Sequence, residues 1–153
     1  MRNRAITAIV VLLAVTLGVA KSLRSQDAAE KSPDAQRARH MLAISLLRAI
    51  NTAEVTHKTQ QSEYLSKDAL LANEGFSSTA LAWAAKHDPK LTGAHFSNGP
   101  EVLPGWALRL NVTADRQGYD VLLEDTTDKD CGYAAVTDER GVIRQSKAID
   151  CPI

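Results

Sequence analysis

The sequence predicts an α+β domain in which a long N-terminal helix packs on a four-stranded antiparallel meander sheet. Three observations lead there. From residue 33 to about 64 the apolar residues recur every three or four positions, the spacing of a helix with one greasy stripe. From Gly105 onward the period drops to two, the spacing of half-buried strands. The helical part also comes first and the strands last, as in an α+β domain.

The first helix opens at Ser32-Pro33-Asp34, with Ser32 as N-cap, Pro33 at the first helical position and Asp34 in the first turn, where a carboxylate meets the positive end of the helix dipole. Ala35, Ala38, Leu42, Leu46, Ala49, Ile50 and Ala53 form its stripe, and neither Gly nor Pro interrupts it before Tyr64. A second helix fits Ser78 to His87, capped by Ser77 or Ser78 and ended by Asp88-Pro89, with Leu81, Trp83 and Ala84 able to pack inward. Residues 88–104 hold Pro89, Pro100, Pro104, Gly93 and Gly99, which predicts a long surface connection.

Trp106, Leu108, Leu110 and Val112 then alternate with Arg109, Asn111 and Thr113, and Asp115-Arg116-Gln117-Gly118 makes a turn. The return strand carries Tyr119, Val121 and Leu123 on its apolar face. A third strand fits Gly132 to Thr137, and Gly141 supplies the positive φ of a tight hairpin into a fourth strand at Val142-Ile143-Arg144. One face of this meander is apolar and needs the cover that the helix stripe supplies.

The N-terminus reads as an export signal. Arg2 and Arg4 precede an uncharged run from Ala5 to Ala20, which Lys21 ends. At about 1.5 Å per helical residue the run spans about 24 Å, short of the roughly 30 Å hydrocarbon core of a bilayer. Gly18-Val19-Ala20 offers small residues where a signal peptidase cuts, so residues 1–20 are a cleaved signal peptide or a retained signal anchor. Residues 21–32 are a polar linker, and 33–153 are the globular domain. The expected location is the periplasm or the cell envelope, with the membrane touched only through residues 5–20 if the signal stays on. Export to an oxidising compartment makes a Cys131–Cys151 disulfide the default for the two cysteines, with free thiols as the alternative. Such a bridge closes a loop of about 20 residues, which chain entropy values at about 3 kcal/mol.

The chain of 153 residues carries 18 Lys plus Arg against 18 Asp plus Glu, so it has no basic excess with which to neutralise phosphates, and a dedicated nucleic-acid binder is excluded. His40, His57, His87 and His95 are dispersed and form no metal-binding pair. There is no Gly-x-Ser-x-Gly elbow and no Gly-rich phosphate loop, so no catalytic residue is assigned and a small secreted enzyme ranks last. Asp125, Asp128 and Asp130 gather three carboxylates in a short stretch that suits calcium, although Lys129 among them also fits a solvated acidic turn.

Two runs carry a family resemblance. Leu47-Arg48-Ala49-Ile50-Asn51-Thr52-Ala53-Glu54-Val55-Thr56 resembles a run in the helix of some bacterial pilin-like proteins, and Thr137-Asp138-Glu139-Arg140-Gly141-Val142-Ile143-Arg144 is similar to their closing hairpin. With the order of elements and the C-terminal cysteine loop, the chain resembles type IV pilins and pseudopilins over most of residues 33–145. It departs from them at the N-terminus: no Gly-Phe-Thr-Leu-Ile-Glu-type prepilin peptidase site is present, and the apolar run has no acidic residue. The resemblance implies a pilin-like domain delivered by an ordinary signal, non-enzymatic, acting through envelope, pilus or secretion-system proteins. It also favours the calcium reading, since major pseudopilins hold calcium in their strand region, with a periplasmic calcium- or small-ligand-binding module as the alternative function. On the helix it singles out Asn51, Thr52, Glu54 and Thr56 as a lateral contact face, against the alternative of a solvated helix surface.

Overall fold

The computed structural model describes residues 32–147. The expected signal segment, most of the linker and Cys151 lie outside the described residues. By its internal contacts the chain divides into Met1–Ala38 and Arg39–Ile153. In the first unit the Ser32 side chain accepts from the Ala35 amide at 3.2 Å, and the Ser32 carbonyl accepts from the Gln36 amide at 3.0 Å, so the capping role read from the sequence is the one observed.

Helix α1 runs Pro33–Gln61, α2 Lys67–Ala72 and α3 Glu74–His87, and a 3-10 turn covers Pro89–Leu91. Strands β1 (Trp106–Val112), β2 (Tyr119–Asp125), β3 (Ala134–Asp138) and β4 (Arg144–Ser146) pair in sequence order, all antiparallel. The fold is thus α+β, with a helix packed on a four-stranded antiparallel sheet. Register follows the alternation: Leu108 stands opposite Leu123, and Leu123 opposite Ala135. One core results, in which Leu42, Leu46, Leu47 and Ile50 of α1 join Trp106, Val121 and Tyr133 of the sheet side. The outer face is polar, with Arg109 donating to Glu124 at 3.3 Å and Asn111 to Asp120 at 2.9 Å across the β1–β2 pair.

The structure departs from the sequence reading in five places. Helix α2 was not foreseen; it is a short element whose capping signal is one serine, Ser66, which accepts from the Ala69 amide at 3.3 Å. Helix α3 starts at Glu74, not Ser78, because the Asn73 side chain accepts from the Phe76 amide at 2.9 Å, and Gly75 masked that start. Its buried positions are Phe76, Ala80 and Ala84, a four-residue spacing that turns Trp83 outward to 42% exposure. The 88–104 connection is not all surface, since Leu91, Val102 and Leu103 are buried. Finally β4 begins at Arg144, because the turn after β3 is wider than a two-residue hairpin: Gly141 at φ 72° donates to the Asp138 carbonyl, and Val142 is left exposed.

Leu47 has no exposed surface. Replacing it by Ala removes buried methyl groups and leaves a cavity, so urea unfolding should show a loss of about 2–5 kcal/mol.

Candidate functional site

Among the described residues, polar side chains of α1 reach inward at Arg39, at Ser45, which lies 3.4 Å from His87 Nε2, and at Asn51 with Glu54. The first and the last of these gather enough polar partners to form clusters. The first is built on Arg39. Its Nε and Nη2 donate to the two oxygens of Asp125 at 2.5 and 2.6 Å, and Nη2 also donates to the Gly105 carbonyl at 3.0 Å. The guanidinium lies 4.6 Å from the ring centroid of Trp106, and its Nη1 is 3.8 Å from Asp88. Asp125 is buried at the end of β2, and its Oδ1 further accepts from the Thr127 amide and hydroxyl at 2.9 and 2.7 Å. Burial alone would push the Asp125 carboxyl up, but the bonds from Arg39 and Thr127 together outweigh it and hold it below the usual carboxylate range.

The neighbouring turn uses its acids in the same way. Asp128 accepts from the Cys131 and Tyr133 amides at 3.2 and 3.3 Å, and the Lys147 ammonium lies 4.0 Å away. His40 stacks on Tyr133 with centroids 4.0 Å apart; burial and the charge of Lys147 push its imidazole below the ordinary value. The calcium set expected at Asp125, Asp128 and Asp130 is therefore not brought together. The first faces a guanidinium, the second caps backbone amides, and the third lies exposed on the turn. Among the described residues there is no group of three His, Cys, Asp or Glu placed to hold a metal. Cys131 stands in this turn.

The second cluster lies twelve residues further along α1. Asn51 donates to the Thr137 hydroxyl at 3.0 Å and to the Gly141 carbonyl at 3.4 Å, and accepts from the Tyr119 hydroxyl at 2.9 Å. Burial and the charge of Glu54 raise the Tyr119 phenol above its ordinary value. Glu54 is itself fully buried. Its Oε2 accepts from the Leu65 amide at 2.8 Å, whereas Oε1 is buried without a partner. Burial pushes this carboxyl up to about 7 against the opposing pull of the Leu65 amide and of Arg116.

The four helix residues expected as one lateral face are thus divided. Asn51 and Glu54 point into the molecule, while Thr52 and Thr56 are exposed, the Thr52 hydroxyl donating to the Arg48 carbonyl at 2.9 Å. An α-helix turns 100° per residue, so positions 51 and 54 share a side that 52 and 56 do not. Sequence reasoning missed Arg39 and Arg116, the two cations that organise these clusters. Arg39 sits beside the apolar stripe, and an arginine at the edge of a stripe is the available signal of a buried partner.

Comparison with family models, curated proteins and solved structures finds no match.

Removing Arg39 leaves the Asp125 carboxylate buried without its countercharge. Arg39→Met should lower stability at pH 7 by about 3 kcal/mol. Because the Asp125 carboxyl is held low, the stability it contributes is present at neutral pH and is lost as pH falls below about 4. Chemical denaturation from pH 3 to 7 should show this acid-side slope in the wild type and a smaller one in Arg39→Met.

Proposed function

We propose that this chain is an exported, pilin-like interaction component of the cell envelope that acts through protein–protein contacts and not by catalysis. The observation that carries this reading is the meeting of the two runs that bear the family resemblance. Asn51, from the 47–56 run, bonds to Thr137 and Gly141, both from the 137–144 run. Two sequence segments about ninety residues apart are therefore in contact, which supports reading them together.

Two further features support it. Arg2, Arg4 and the Ala5–Ala20 run have the form of an export signal. On α1, Met41 and Val55 are exposed at 43% and 53%, two turns to either side of the exposed Arg48. A partner laid along this side of the helix would cover both. In the first cluster Arg39, Asp125 and Asp128 are occupied with one another and with the backbone, which suits a scaffold.

Two outcomes test the reading. The intact mass from the native envelope fraction, after alkylation without reduction, should match residues 21–153 less two hydrogens, the product of signal cleavage and a Cys131–Cys151 bridge. A full-length mass with the bridge would mean an anchored form, and two alkylated cysteines on a cytosolic full-length chain would overturn the export reading. A photocrosslinker placed at Met41 or Val55 should capture an envelope protein in cells, whereas one at Arg109 on the sheet should not. Equal labelling at all three positions would refute the helix-face contact.

A further inference from the structure

The connection between α1 and α2 is held by an unusual set of contacts. Ser62 occupies the left-handed region at φ 64° without being glycine, a strained conformation kept only by its surroundings. Its carbonyl accepts from the Lys58 ammonium at 2.9 Å and from the Gln117 side-chain Nε2 at 3.2 Å. Tyr64 exchanges bonds with Arg116 on the β1–β2 turn: its amide donates to the Arg116 carbonyl at 3.1 Å, and its carbonyl accepts from Arg116 Nε and Nη2 at 3.1 and 2.8 Å. Leu65, buried, donates its amide to Glu54 Oε2 at 2.8 Å. Lys58 and Glu54 are thus the two residues of α1 that hold the connection by their side chains, Glu54 at its buried end, and the second oxygen of Glu54 is buried with no partner.

We propose that Glu54 is a proton-controlled latch, closed on the 62–66 connection when its carboxyl is protonated and released when the carboxyl ionises. A neutral acid leaves one weak polar atom unpaired in the core; a carboxylate leaves a half-paired charge there, which is far more costly. The charged and titratable groups around it give the carboxylate no ready partner. Arg116 attracts it, but that guanidinium is already committed to the Tyr64 carbonyl and, at 2.7 Å, to Glu63. Tyr119 on β2 donates to Asn51, and Lys58 lies over the Tyr64 ring at 5.1 Å while bonding Ser62 and Gln117. If Arg116 turns to the ionised Glu54, it abandons Tyr64 and Glu63. If it does not, the carboxylate must reach water. Both responses loosen the same connection.

The sign follows from linkage. The carboxyl titrates at about 7 when latched and at the ordinary 4.5 when released. The closed form is therefore fully stabilised at low pH, weakens as pH rises between these values, and changes no further above about 7. The test is amide hydrogen exchange of the full chain, corrected for intrinsic rates. Leu65 protection should fall about tenfold per pH unit from pH 5 to 7 and then level off. That opening should be insensitive to low urea, while the β2 amides follow the urea-dependent global transition. In Glu54→Gln the pH dependence at Leu65 should vanish. Equal Leu65 protection at pH 5 and pH 8, or exchange in step with β2 as urea rises, would overturn the latch. Should the variant not fold, NMR titration of the Glu54 carboxyl carbon in the wild-type chain decides: a midpoint near 7 supports it and one near 4.5 refutes it.

Discussion

The bidentate pair between Arg39 and Asp125 sets the geometry of much of this fold. It joins α1 to the last residue of β2, and a pair taken largely out of water persists only if its remaining donors and acceptors are also satisfied. Here the satisfaction is nearly complete. The guanidinium also meets the Gly105 carbonyl and the Trp106 ring, and the carboxylate also meets Thr127. The cost is visible at Gly105, which sits at φ 78° just before β1. A Cβ there would lie 2.9 Å from the Thr127 methyl and 3.1 Å from Arg39 Nη2. The glycine is what lets the backbone approach the ion pair closely enough to close it.

With that end of α1 fixed, the rest of the helix has few choices. The second attachment, Asn51 to Tyr119 and Thr137, lies about 18 Å further along the axis. Two polar anchors that distance apart determine the rotation of the helix about its own axis, which the apolar stripe alone would leave loosely specified. Leu42, Leu46, Leu47 and Ile50 fill the interval between them and supply the burial. The same rotation leaves Met41 and Val55 facing outward. Their exposure follows from where the anchors are, and it gives the proposed contact face its position.

What the sequence made legible was what a period can express. The α1 stripe and the β1 and β2 alternation were readable because each spans enough residues to repeat, and Ser32-Pro33-Asp34 was readable because capping chemistry is local. Helix α2 was not, since six residues give barely more than one turn. The start of α3 was hidden by Gly75, and the wide turn at 138–143 by a Gly141 that fits a tighter hairpin equally well. The site residues fared worse for a physical reason. Asp125 looked like a loop acid beside Asp128 and Asp130, and only the fold reveals a guanidinium from 86 residues away. Glu54 looked like a surface residue because it stands among the polar residues Asn51, Thr52 and Thr56. Polar residues buried through long-range partners leave no periodic trace.

The two clusters resolve the problem of a buried carboxyl in opposite ways. Asp125 is surrounded by donors until its charge is favoured, while Glu54 receives one amide and is left with an idle oxygen. Both sit under the same helix, so burial in itself does not decide the outcome; the number of donors does. A glutamine at 54 could accept from Leu65 without carrying a charge, and an apolar residue could fill the space. A glutamate is the choice that makes the 62–66 connection sensitive to protons, and that connection begins at Ser62 in the left-handed region, at φ 64°. Among the described residues the buried side-chain atoms left without a partner are Glu54 Oε1 and the Trp106 indole nitrogen, one in each cluster, and such departures from polar satisfaction are expected at functional or strained sites.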